Sequence, residues 1–166
     1  MQASLRFLIL LCLSTSLASC ASEPVVDPMG AGSQVAVNYT AESIQWYSID
    51  QAGGGTVIPY GIAGGICCAL YPRKWTPELR VVVKWERSDC VGQEHLCTHE
   101  SIVTHKYPFK KFRKTVPIQK YTDPGEVFIV FDPNDEVRVF VSKYGVGSPS
   151  FIPSPQKPPT SRKETP

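Results

Sequence analysis

The apolar residues of this chain recur mostly at every second position, and nowhere do twelve consecutive residues keep a helical repeat without a Pro or Gly interrupting it. A chain patterned this way builds sheet. Val81, Val83 and Trp85 alternate with Val82, Lys84 and Glu86, while residues 127–131 and 137–141 are short runs of β-branched and aromatic side chains. Between the last two runs, Asp132-Pro133-Asn134-Asp135-Glu136 supplies the turn chemistry of a hairpin. Residues 35–40 and 43–49 are further strand candidates, although 40–49 also fits a short helix, and Gly53-Gly54-Gly55 ends any regular element there. The pattern predicts a mainly β domain of about six to eight strands, a small disulfide-linked sandwich or a partly open barrel.

With 166 residues, 42% of them hydrophobic, the chain can bury one core but not two. The charge balance, 17 − 15 = +2, lacks the basic excess that phosphate contacts require, which argues against a nucleic-acid partner. Residues 1–19 read as an export signal: Arg6 precedes the apolar run 7–13, which is far shorter than the roughly 20 residues needed to cross a bilayer. Leu17-Ala18-Ser19-Cys20 follows and looks like a lipobox, making Cys20 the acylated first residue of a mature lipoprotein. Each buried acyl methylene contributes about 0.8 kcal/mol, so such an anchor holds the membrane permanently. Ala21 in the next position resembles the sorting pattern for the periplasmic face of the outer membrane. Pro24, Pro28, Gly30 and Gly32 make 20–34 read as a flexible tether, and six prolines make 149–166 read as a disordered tail. The domain is then 35–148.

Four cysteines remain in that domain, and an oxidising periplasm favours their pairing. Cys67 and Cys68 are adjacent, and a bond between neighbours closes an uncommon eight-membered ring. The expected partners of this pair are therefore Cys90 and Cys97, with both cross-pairings open. A metal site built on His95, Cys97 and His99 is the rival reading; oxidation of the thiols disfavours it, and no metal is expected. The same segment has His-x-x-x-His spacing but carries Leu96 where a zinc protease needs its general-base Glu. Gly145-Val146-Gly147-Ser148-Pro149 lacks the second glycine of a nucleophile elbow, and no glycine cluster is followed by the Lys of a phosphate loop. No catalytic residue is assigned, an enzyme is disfavoured, and no cofactor is expected beyond the lipid on Cys20.

The sharpest charge feature lies in 101–122, where Lys106, Lys110, Lys111, Arg113, Lys114 and Lys120 occur without an acid among Tyr107, Phe109, Phe112 and Tyr121. Residues 123–143 then carry five acids against two bases. Such a segment fits an acidic protein partner with aromatic anchors, or anionic lipid headgroups. It fits equally a solvated loop whose lysines keep a strand edge soluble. Lys106, Phe109, Lys110, Lys111, Phe112, Arg113 and Lys114 are the candidate contacts, with Trp75 beside them. Trp85, on the inward side of its alternation, is expected in the core.

Asn38-Tyr39-Thr40, Gly64-Gly65-Ile66-Cys67-Cys68, Trp75-Thr76-Pro77 and the run from Val81 to Trp85 together resemble a family of uncharacterised Gram-negative lipoproteins whose domain has no assigned function. Val116-Pro117-Ile118 and the strands at 127–131 and 137–139 extend the match over most of 35–148. The basic segment resembles a variable insertion. Some lipoproteins of this appearance accompany phospholipase effectors of the type VI secretion system. The resemblance therefore implies an immunity protein that occludes an exported lipase. The alternatives are an envelope-maintenance lipoprotein that binds lipid or peptidoglycan, and a small periplasmic hydrolase.

Overall fold

The computed structural model describes residues 28–151. The export signal, Cys20 and most of the expected tether lie outside the described residues, as do 152–166. Eight strands run in the order β1 (Met29–Asn38), β2 (Ile44–Ile49), β3 (Ala52–Gly54), β4 (Ile62–Pro72), β5 (Arg80–Ser88), β6 (Phe109–Pro117), β7 (Glu126–Asp132) and β8 (Glu136–Ser142). A five-residue helix, α1 (His99–Val103), sits in the β5–β6 connection. The first sheet has the order β4-β1-β7-β8 and the second β3-β2-β5-β6. They meet through the bridge between Ile118 and Val139 without closing a barrel, so the sandwich is the form adopted.

Burial follows from which faces are covered. In β5, Val81, Val83 and Trp85 point into the space between the sheets, and the residues between them point out. By contrast β7 buries five consecutive residues, because Val127, Ile129 and Phe131 face the second sheet while Phe128 and Val130 meet a smaller cluster on the far side. Such a continuous run marks a strand covered on both faces. It pairs in parallel with β1, from Gln34 opposite Val127 to Asn38 opposite Phe131, and antiparallel with β8. The β7–β8 hairpin turns at Asn134 and Asp135, both in the left-handed region that Asn and Asp tolerate.

Several expectations need correction. The last residues of the expected tether are strand. Gly30 lies against the Tyr71 ring, and a Cβ at Gly32 would strike the Gly125 carbonyl, so these glycines permit close packing rather than flexibility. The expected tail contributes Phe151, 2% exposed, whose ring stands 4.6 Å from that of Phe128 and closes the outer cluster of the first sheet. Residues 44–49 form the expected strand rather than its helical alternative, and the part of the basic segment at Phe109–Pro117 is an edge strand rather than a loop.

The disulfides also differ from expectation. Cys90 bonds Cys97 at 1.99 Å, with Cα atoms 5.9 Å apart, and Cys67 pairs with its neighbour Cys68. Topology is the reason. Strand β4 borders the sandwich on the β3 side, whereas the β5–β6 connection lies on the opposite side, so neither cross-pairing is within reach.

Candidate functional site

Outside the core, the second sheet leaves one face open. Across it, Trp46 of β2, Glu86 of β5 and Lys111 of β6 share a row, and Ser48, Lys84 and Arg113 share the next. Of these, all but the buried Ser48 line a groove of about 630 Å³, with His105 at its rim. Trp46 is 46% exposed there. An indole offers a broad apolar face with a polar N–H, the amphipathic surface that interfaces favour.

A register irregularity puts it there. Ile44 pairs with Arg87 and Trp46 with Glu86, so two steps on β2 match one on β5. Such a bulge reverses the facing of the residues beyond it. Ile44, Tyr47 and Ile49 therefore point inward and Trp46 outward. Strict alternation would have put Ile44 and Trp46 on one face, which is why sequence reasoning missed Trp46.

The basic residues of β6 divide by parity. Lys110 and Lys114 lean inward, where Lys110 pairs with Asp89 at 2.9 Å and Lys114 with Glu136 of β8 at 2.8 Å. The first bond closes the β5–β6 end of the second sheet, and the second ties β6 to the first sheet. Lys111 and Arg113 lean outward into the groove beside Lys84. Neither Lys84 nor Arg113 has a carboxylate partner among the described residues, and Lys111 stands 3.8 Å from Glu86. The groove thus holds three cations against one carboxylate.

That carboxylate is already engaged. Tyr107, 3% exposed, donates its hydroxyl to Glu86 Oε1 at 2.7 Å. Burial, then the hydrogen bond, then the charge of Glu86 hold the Tyr107 phenol well above its ordinary 10.0. The tyrosine anchors the 104–108 loop over the sheet, and His105 is carried with it in the left-handed region.

The other expected contacts lie apart from this groove or beneath it. Trp75 donates its indole N–H to the Ile118 carbonyl at 2.9 Å and packs on the core beyond the far end of β6. Phe112 stacks on the buried Trp85 at 4.9 Å between ring centroids, so it serves packing rather than contact. Phe109 is 39% exposed, with the Lys111 ammonium 5.3 Å from its ring. Lys106 lies in the loop before β6.

Glu42 is a further residue that sequence reasoning missed. Its buried carboxylate accepts from Ser88 Oγ at 2.7 Å and from the backbone N–H of Cys90 at 3.0 Å and Val91 at 2.7 Å. This clamps the start of the disulfide loop. Asn38, also buried, donates to the Glu42 carbonyl at 2.7 Å and accepts from Thr40, which accounts for the Asn38-Tyr39-Thr40 motif as a structural knot. No such pattern of carboxylate and distant amides is visible in a linear sequence. Among the described residues no group of three or more His, Cys, Asp and Glu side chains is placed to hold a metal ion.

What the groove offers chemically is fixed positive charge beside an aromatic plane. That combination suits an anionic group with an apolar flank.

Fold and groove together define a small, disulfide-bonded β-sandwich with one open cationic face. Residues 37–139, which begin in β1 and end in β8, match the family described as "Protein of unknown function (DUF3304)", and the chain belongs to that family. No curated protein matches it. An NMR structure of a protein from Eubacterium rectale is similar at 15% identity over 70% of this chain and 92% of its own, with a TM-score of 0.35.

Proposed function

We propose that the chain is a lipoprotein acylated at Cys20, facing the periplasm from the outer membrane, whose sandwich binds another protein rather than turning over a substrate. The partner most consistent with the family resemblance is an exported phospholipase, with this domain acting as the immunity protein that occludes it. One observation carries the binding reading: Lys84, Lys111 and Arg113 surround the exposed Trp46 with only the engaged Glu86 to balance them. Trp and Arg are among the residue types most enriched as anchors of protein contacts.

The test is co-expression with an exported phospholipase effector. The expected result is a one-to-one complex and an inhibited lipase. Reversing Lys84, Lys111 and Arg113 to Glu should weaken the complex by about 100-fold, close to 2.7 kcal/mol, with the thermal midpoint little changed. A lipase that stays free and active in the presence of the folded domain would overturn the immunity role. Retention on anionic vesicles without any protein partner would select the envelope-maintenance alternative. Labelled palmitate retained by a Cys20→Ala variant would remove the anchor.

A further inference from the structure

The open edge of β6 borders the groove, and the ladder shows which backbone groups it offers. Ser88 donates its backbone N–H to Ser43, and Asp50 donates to the Val82 carbonyl, so the even-numbered residues of β5 bond toward β2. Their partners on β6 are Phe109, Lys111, Arg113 and Thr115. In an antiparallel pair those residues turn their N–H and C=O groups away from β5. They face the free edge, since β6 is last in its sheet. Pro117 lacks a donor at the next such position, and beyond it Gln119 bonds to Val139 of β8. The unpaired stretch is therefore bounded, from Phe109 to Thr115.

Side chains and edge coincide. Lys111 and Arg113 carry both the outward backbone groups and the groove cations. Lysines on an edge normally guard against pairing with a like strand. Here they repel a second β6 but attract a strand of opposite charge. From this coincidence we infer that the partner segment adds as an extended strand along Phe109–Thr115, placing carboxylates at alternate positions beside Lys111 and Arg113. Backbone bonds supply affinity in such strand addition, and the alternate side chains supply selectivity. The inference rests on the groove being a protein-binding face and specifies how it binds.

A nine-residue peptide of alternating Thr and Glu is the probe, with its Thr/Lys counterpart as control, followed by amide hydrogen exchange and two-dimensional NMR of the full domain. The Glu peptide should slow exchange at residues 109, 111, 113 and 115 while their even-numbered neighbours, already bonded to β5, change little. Lys111→Ala should weaken binding by about tenfold through lost charge. Lys111→Pro, which loses the same charge and also the outward N–H, should weaken it by about a further tenfold. If the proline variant fails to fold, the exchange pattern of the wild type decides alone. Shifts at Trp46 and Lys84 without protection of the four amides would overturn strand addition and leave the groove as an anion site. Equal binding of the Lys peptide, or no response to the Glu peptide, would overturn it as well.

Discussion

The two sheets are made of similar residues yet live in different surroundings. The first is covered on both faces along β7, though not at its β4 edge: β7 packs Phe131 toward the second sheet and Phe128 toward Phe140 and Phe151. The second is covered on one, and its other face holds Trp46 and the groove cations. A sheet buried twice supplies most of the packing energy, and a sheet buried once is free to present chemistry. Stability and recognition are thus divided between layers, so a change in one should leave the other nearly intact. Mutations can break that division.

The largest effect is expected at Phe131, whose ring contacts both Tyr47 and Trp85 between the sheets. Phe131→Ala should cost about 4 kcal/mol, read by urea unfolding. Phe151→Ala, at the margin of the outer cluster, should cost about 3 kcal/mol, because the chain end can settle into part of the cavity. A loss at Phe151 below about 1 kcal/mol would mean that the first sheet's outer face is not closed by this residue.

The disulfide loop sits between these regimes. It joins β5 to β6 and is clamped by Glu42, so it shapes the open sheet without entering the core. Replacing Cys90 and Cys97 together by Ser releases a loop of about eight residues, worth about 2.5 kcal/mol in chain entropy. Thermal unfolding should register that loss. The Glu86–Tyr107 bond should persist if β6 keeps its register.

A smaller effect, with a pH signature, belongs to Tyr107. Its phenol is held neutral in the fold while the unfolded chain ionises near 10.0, so its contribution is complete below that pH and fades as pH rises toward the native value. Burial pushes Tyr39, Tyr47 and Tyr121 the same way. Stability should therefore fall on the alkaline side. Tyr107→Phe should cost about 1.5 kcal/mol at neutral pH and make the alkaline fall shallower, since one of the four groups no longer titrates. An unchanged alkaline slope would show that the hydroxyl is not held as described.

The same division explains what could be read from the sequence. The runs at 81–85, 127–131 and 137–141 were legible because covered strands must be apolar, singly or on both faces. Strand β4 was not, since its exposed Gly64, Gly65, Cys67 and Cys68 show no alternation at a free edge. Along β6 the aromatic spacing of three, from Phe109 to Phe112, hid the period of two. The cations were visible as a cluster, but only pairing with β5 separates Lys110 and Lys114, which are ion-paired to Asp89 and Glu136 within the fold, from Lys111 and Arg113, which face the groove. Lys84 and Trp46 join the site through register alone, one by alternation and the other by a bulge.

The smallest predicted effect discriminates best. Lys84 and Arg113 stand directly opposite each other in a pair that shares no ladder hydrogen bonds, where side chains come closest. Two cations at that spacing repel, and nothing among the described residues neutralises either one. If the open face existed to stabilise the fold, this arrangement would be a poor choice. Arg113→Glu should turn the repulsion into attraction and raise stability by about 0.5 kcal/mol, while weakening any acidic strand bound at β6. Gain of stability with loss of binding is the mark of a residue kept for contact, because recognition sites hold charges that the folded chain alone would shed. A destabilised Arg113→Glu variant would place that cation in the fold's service and return the groove to the solvated surface of an edge strand.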